Sequence, residues 1–387
     1  VKRKAELLLL LSSVVCCALA LELFFYLGHK EGKTYPAVMY LTDDPSTRVL
    51  CYDDEFRSAA DWDLRQQNHP YGELRYKMNM DKDPALDGLD PRNVPFAVEL
   101  RLNEAGFRER DLTALALADS SEVTLVIGDS FGAGQGVRLQ DRLTEVLEQA
   151  LNDSLEQPQL LVNLCKRGYN IKMVSQTLTH HIGSFPRVRR VIYLYNLNDA
   201  ALDAHGFELS QAIDDFMHLR VNLLAASVEG SILGHSYAAS WVLQRLARRR
   251  IASRTIEWYN YMYTDNDGWR VTMKRLDQMV RLSADHGADF IIVLFPMFID
   301  LKDYPLVSAH AAVGEYARRA QVDFVDLLEL FEGRSERDYW VHPRDFHPND
   351  RAHAEVARYL HKTLDWDGTN ESANLMNRRR STPGHSP

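Results

Sequence analysis

The sequence predicts a doubly wound α/β domain, a three-layer α/β/α arrangement around a five-stranded parallel sheet. Two patterns carry this reading. Five short apolar runs, Val123–Ile127, Leu160–Leu164, Val191–Tyr195, Phe290–Phe295 and Val322–Val325, have the near-continuous hydrophobicity of strands buried on both faces. Helical stretches separate them, at Asp141–Leu151, Met173–His181, Arg270–His286 and Ala309–Ala320, and a last one spans about Asp350 to Leu364. Strands alternating with helices build parallel units, because a parallel connection needs a crossover long enough to hold a helix.

Composition narrows the class. A chain of 387 residues fits one large domain or two modest ones, and 45% apolar residues supply a sizeable core. The net charge of −9 and the lack of a broad basic stretch in the folded part argue against nucleic acid as the main partner. The four cysteines are too few for a disulfide scaffold. Cys16 and Cys17 lie in the apolar N-terminus, and Cys51 and Cys165 are read as free thiols.

The N-terminal segment, residues 1–28, reads as a membrane anchor. Lys2, Arg3 and Lys4 precede an apolar stretch from Leu7 to Leu27, interrupted by Ser12, Ser13 and Glu22. That is near the ~20 residues a spanning helix needs. The basic cluster belongs on the cytoplasmic side, which puts the bulk of the chain outside the cytoplasm. The alternative is a cleaved signal peptide and a secreted protein, with Ala18-Leu19-Ala20 as the cleavage site. The continuation Phe24-Phe25-Tyr26-Leu27 past Glu22 favours the uncleaved, single-pass anchor.

Residues 29–118 read as a linker and a small β-rich extension, with turn signals at Asp44-Pro45, His69-Pro70 and Asp90-Pro91 and a short alternating run from Phe96 to Leu102. The α/β domain spans 119–366 and carries a helical insertion at about 200–269, placed to cap the sheet's carboxyl edge. Its aromatic segment, Trp258 to Tyr263, reads as wall or core. The polar tail, 367–387, reads as disordered.

The chemistry sits at strand ends. The first strand runs into Gly128-Asp129-Ser130-Phe131-Gly132, and reactive groups in open α/β sheets lie just past the strands' carboxyl ends. A Gly-rich loop there can also bind phosphate, but neither the Walker pattern nor G-x-G-x-x-G is present. Asn163-Leu164-Cys165-Lys166-Arg167-Gly168 follows the second strand, and Asn196-Leu197-Asn198-Asp199 follows the third. Asp345-Phe346-His347-Pro348 precedes the last helix. One edge of the sheet can collect all of them.

These blocks, in this order, resemble those of the SGNH (GDSL-type) serine hydrolases, over roughly residues 120–365. The stretch Asn103 to Arg108 looks like one found upstream of the nucleophile in membrane-anchored bacterial members. The resemblance implies Ser130 as nucleophile, His347 as general base and Asp345 as its orienting carboxylate. It implies an oxyanion hole from the N–H groups of Ser130 and Gly168 and the side-chain amide of Asn198. The implied reaction is serine-dependent hydrolysis of an acyl ester substrate, an O-acyl group on a cell-envelope glycan or a lipid ester. No cofactor and no metal is implied. Alternatives are an O-acyltransferase using the same triad on a polysaccharide hydroxyl, and a non-catalytic glycan- or lipid-binding relative.

The sequence departs from the family at several points. Asn196 stands where Gly is usual, and Asn tolerates a left-handed backbone there. Asp345 and His347 are separated by one residue rather than two. Cys165 and Lys166 replace small residues. Among other histidines, His180-His181 reads as a helix-end pair rather than a metal site, His342 as a rival for the base role without the Asp-x-His-Pro context, and His353 as a packing residue on the last helix.

Overall fold

The computed structural model describes residues 2–30, 75–76, 100–101, 103, 105–116, 122–200, 236, 238–239, 255–342 and 345–367. The chain divides into two compact units, one of residues 1–48, 89–93 and 207–258, the other of residues 49–88, 94–206 and 259–387. The expected disordered tail, and most of the expected extension and insertion, lie outside the described residues.

In the first unit, helix α1 spans Lys2–Lys30. Leu10, Val14, Val15, Leu19, Leu21, Leu23, Phe24 and Leu27 are exposed on it, whereas Phe25 is buried. Its carboxylate, Glu22, accepts hydrogen bonds from the Ser236 hydroxyl at 2.8 Å and the Ala238 N–H at 3.3 Å. Among the described residues, no helix is long and apolar enough to cross a membrane. The side chains of residues 1–9 and 11, which include most of the leucine run of the expected anchor, lie outside that set.

The second unit holds the expected sheet. Its strands are β1 (Glu122–Gly128), β2 (Gln159–Asn163), β3 (Val188–Asn196), β4 (Asp289–Phe295) and β5 (Asp323–Asp326). They are all parallel, in the order β2-β1-β3-β4-β5. Leu125, Ile127, Val162, Val191, Leu194, Ile292 and Val293 have almost no exposed surface, as strands covered on both faces require. The chain winds outward from β1 to β2 and then back past β1 to β3. The β1–β3 boundary is therefore the switch point, where connections leave in opposite directions and open the sheet edge to a ligand.

The helices are α2 (Ser130–Ala133), α3 (Leu143–Ser154), α4 (Ile171–His181), α5 (Asp267–Asp285), α6 (Val307–Ala320) and α7 (Asp350–Thr363). α3 packs on α7, and α4 packs on α5. The expected boundaries shift where side-chain caps decide them. Asn170 accepts from the N–H groups of Lys172 and Met173, so α4 begins at Ile171. Asn266 accepts from Trp269 N–H, so α5 begins at Asp267 rather than Arg270. The expected start of α3 at Asp141 is instead a 3₁₀ turn, Leu139–Asp141.

The segment Asn103–Arg110 is fastened to this unit by charge. Arg142 is fully buried; its guanidinium donates to the Arg108 carbonyl at 2.6 Å and meets the carboxylates of Glu145 and, at 3.4 Å, Glu109. Glu109 also accepts from the Asn163 N–H at 2.9 Å, on the edge strand β2. Arg108 donates to the Gly134 carbonyl at 2.8 Å, at the end of α2.

His353 is a packing residue with a defined task. Its Nδ1 accepts the Leu143 N–H at 3.1 Å, satisfying the start of α3 from α7. Burial, aided by the Arg142 and Arg108 charges, pulls its imidazole down to about 3 from an ordinary 6.5. His181 is pulled down to about 4 by burial, His180 and Lys166. Below pH 6.5 the unfolded chain binds protons that the folded chain excludes, so stability falls with acidification from 6.5 toward 3. His353→Asn keeps an acceptor near the Nδ1 position and does not titrate. Its unfolding free energy, measured by urea titration between about pH 5.5 and 4, should lose about 1.4 kcal/mol per pH unit of slope relative to wild type. An unchanged slope would show that His353 is not held neutral.

Candidate active site

Ser130 opens α2 directly after β1. Asp129 caps the helix, accepting the Phe131 N–H at 2.9 Å. This short turn sets the Ser130 hydroxyl at the carboxyl edge of the sheet, and its Oγ lies 2.8 Å from His347 Nε2. That distance suits a hydroxyl donating to a neutral imidazole. The other Asp129 oxygen is 3.4 Å from the same hydroxyl, the weaker of the two contacts.

His347 arrives on a hairpin of β6 (Trp340–His342) and β7 (Asp345–Pro348), paired antiparallel. The hairpin is pinned at two points. Trp340 Nε1 donates to the Phe298 carbonyl at 2.8 Å, and the Asn349 N–H donates to the Tyr339 carbonyl at 2.8 Å. The Phe131 ring lies 5.3 Å from the His347 ring and stacks on Phe298 at 6.3 Å. His347 precedes Pro348, which disfavours a helical backbone at it, and Asp345 and His347 are alternate residues of the extended β7. The Asp345 side chain lies outside the described residues, as does that of His342, whose register partner is Asp345.

Asn198 sits in the 3₁₀ turn Leu197–Asp199 after β3. Its side chain hydrogen-bonds the Asp129 carboxylate. An amide nitrogen carries two protons, so one can hold Asp129 and the other face a substrate oxygen. Asn196 does not adopt the left-handed backbone expected of it. Its φ is −115°, ordinary extended chain, and it acts as the cap of the turn by accepting the Asn198 N–H at 3.4 Å. Gly168 does use the left-handed region, with φ +74°. A Cβ there would meet nothing within 4 Å, so backbone conformation rather than space calls for glycine. Its loop is tied to β1 by the Lys166 N–H, which donates to the Gly128 carbonyl at 3.1 Å.

Sequence reasoning missed the polar scaffold beneath these groups. Asp129 and Asp199 are both buried carboxylates. Burial pushes Asp129 up, opposed by the Phe131 N–H, His347, Asn198 and Ser130. Asp199 is pushed well up by burial and by Asp129, against donors from Asn196 and Tyr193. Asn163, also buried, donates to the Gly132 carbonyl at 2.9 Å and accepts the Cys165 N–H at 2.9 Å, which links the nucleophile turn to β2. Lys166 is buried beside the Phe107 and Tyr169 rings, and desolvation lowers its ammonium to about 8. His180 and His181 are edge-to-face neighbours, and among the described residues no cluster of ligands could hold a metal ion.

A family model described as GDSL-like Lipase/Acylhydrolase matches residues 126–355, more than half of the chain. The chain belongs to the GDSL-like lipase/acylhydrolase family. It is accordingly a hydrolase acting on ester bonds. No curated protein matches this GDSL-like hydrolase. Among solved structures it is similar to TesA, with 13% identity and a TM-score of 0.38 over 62% of this chain and 96% of that one. It is also similar to the psychrotrophic esterase EstA from Pseudoalteromonas sp., at 11% identity and a TM-score of 0.34 over 62% and 95%. A third is Est24, a carbohydrate acetylesterase from Sinorhizobium meliloti, at 11% identity and a TM-score of 0.34 over 66% and 100%.

The family's small position at 165 is filled here by a thiol that packs against the nucleophile helix. A Cβ added at Gly132 would lie 2.4 Å from Cys165 Sγ and 2.9 Å from Leu194 Cδ1. Gly132→Ala should therefore destabilise the fold by about 1–3 kcal/mol. Adding Cys165→Ala should return part of the loss, because it removes the nearest of the two clashes. Thermal melts of the single and double variants check this, and strictly additive losses would refute the contact.

Proposed function

We propose that this GDSL-like hydrolase is a membrane-tethered serine esterase that removes acyl groups from cell-envelope glycans or from lipid esters, through an acyl-enzyme, outside the cytoplasm. The 2.8 Å contact between Ser130 Oγ and His347 Nε2 is the observation that carries the reading. His347 takes the Ser130 proton as Oγ attacks the acyl carbonyl. The tetrahedral oxyanion is held by the N–H groups of Ser130 and Gly168 and by the free proton of the Asn198 amide. His347 then protonates the leaving alcohol, and water repeats the cycle on the acyl-enzyme. Asp345 is proposed as the group that holds the imidazole, because alternate residues of a strand share a face.

The exposed apolar surface of α1 supports the tether. A helix of 29 residues is roughly 43 Å long, more than the ~30 Å of a bilayer's hydrocarbon. Its exposed leucines, valines and aromatics have no place in water and bury well in lipid. The basic start of the chain then belongs to the cytoplasmic face.

Short aryl acetates test the chemistry. Ser130→Ala should lower kcat by about 10⁴-fold or more, and a serine-directed phosphonate should label Ser130. Wild-type turnover in Ser130→Ala would sink the mechanism. Asp345→Asn, compared with Asp338→Asn, should lose up to about 10⁴ in kcat, whereas a mere loop cap would cost about 1 kcal/mol of stability and little rate. Supplying a glycan acceptor with the acetyl ester separates the readings: acyl transfer to water supports the esterase, and transfer to sugar supports an O-acyltransferase. The tether predicts that the full chain stays with membranes through an alkaline carbonate wash; release of intact chain into the wash would refute it.

A further inference from the structure

Asn198 works only if its amide is held in one place, and the aromatic segment before α5 supplies the hold. Tyr263 follows the helical segment 255–262 and is buried. Its hydroxyl donates to the Leu197 carbonyl at 2.7 Å. Tyr263 has a single hydroxyl proton, which that bond uses, so the 2.8 Å contact with Tyr195 is made by the Tyr195 hydroxyl donating to Tyr263. The result is a directed chain, Tyr195 to Tyr263 to Leu197.

The Leu197 carbonyl and the Asn198 N–H are the two ends of one planar peptide unit. The oxygen is tied by Tyr263 and the N–H by Asn196 Oδ1 at 3.4 Å. A peptide plane fixed at both polar ends cannot swing, so the Asn198 Cα starts from a set orientation. The far side of the turn is tied as well, because Asp199 accepts from the Tyr193 hydroxyl at 3.0 Å and the Asn196 N–H at 3.3 Å. Asn196 is the position where the family usually has glycine, which has no side chain to offer.

We propose that Tyr263 is a positioning residue of the reaction, clamping the Leu197–Asn198 peptide so that the Asn198 amide meets the oxyanion. The proposal rests on Asn198 being an oxyanion donor. Tyr263 touches no reacting atom, so its removal should act through Asn198 and on the transition state. Losing the clamp lets the amide wander, and a displacement of an oxyanion donor lowers kcat while leaving KM in place.

A double-mutant cycle on a short aryl ester tests this, with near-UV circular dichroism confirming the fold of each variant. Asn198→Ala should lower kcat by about 10²–10³-fold. Tyr263→Phe should lower it by about tenfold with KM unchanged, and change kcat by less than about twofold when Asn198 is already alanine. Tyr195→Phe removes a buried hydroxyl from the same chain but leaves the Leu197 bond, and should keep kcat within about twofold of wild type. Asn196→Ala frees the other end of the peptide and should repeat the kcat loss, with recovery in Asn196→Ser, whose hydroxyl can cap the turn. Equal losses from Tyr263→Phe in both backgrounds, or a Tyr195→Phe loss matching it, would overturn the proposal. If Tyr263→Phe does not fold, the Asn196 pair decides: loss without recovery in serine overturns it. Unchanged kcat in Asn198→Ala would instead overturn the oxyanion assignment, and the clamp with it.

Discussion

A buried carboxylate without a neighbouring cation has to be satisfied by hydrogen bonds, since leaving it bare in a protein interior costs several kcal/mol. Asp129 is such a group, and the arrangement of the site follows from meeting its demand. It is about 1% exposed, and its donors and neighbours are the Phe131 N–H, the Ser130 hydroxyl, the Asn198 amide and the His347 ring. These groups come from three places in the fold. The first two begin α2, Asn198 ends β3, and His347 rides on the β6–β7 hairpin. One acidic side chain thereby gathers Ser130, His347 and Asn198 around it.

The second carboxylate, Asp199, has its proton affinity raised well above the ordinary carboxylate value, first by burial and then by the nearby Asp129. Two negative charges at this depth would oppose one another and also the oxyanion that forms during catalysis. Asp129 is raised as well, but more donors oppose the effect of burial there. His347 is among the groups that oppose the rise at Asp129. The same arrangement lets Asn198 spend one N–H on Asp129 and keep the other for substrate.

Away from the reacting groups, the strap Asn103–Arg110 does related work with charge of both signs. Arg142 and Glu109 are both buried, and each has a second partner, Glu145 for Arg142 and Arg110 for Glu109, so the charges form a network rather than an isolated pair. The exposed Arg110–Glu148 pair at 2.9 Å contributes far less, because water screens it. Through Arg108 the strap reaches the Gly134 carbonyl, so it bears on the end of the nucleophile helix as well as on β2.

The sequence by itself determined the sheet and singled out Ser130 and His347, which the fold brings within 2.8 Å. Strands buried on both faces read as unbroken apolar runs, and each of the five was visible, with ends displaced by a residue or a few; helix starts moved too, because caps such as Asn266 act through geometry. Ser130 and His347 were legible because their residue types occur beside strand and helix ends in a fixed order. Tertiary structure alone decided what lies under them. Asp129, Asn163, Asp199 and Tyr263 are common polar residues whose neighbours in the chain say nothing of their partners. Tyr263 is 66 residues from the carbonyl it holds, and Ser130 is 217 from its base. Asn196 shows the limit most clearly. Read locally, it replaces a glycine with a residue that tolerates a left-handed backbone; in the fold it is extended and spends its side chain on the turn. Hydrophobic periodicity is a local property of the chain, whereas the satisfaction of a buried polar group depends on whichever distant donor the packing brings within 3 Å.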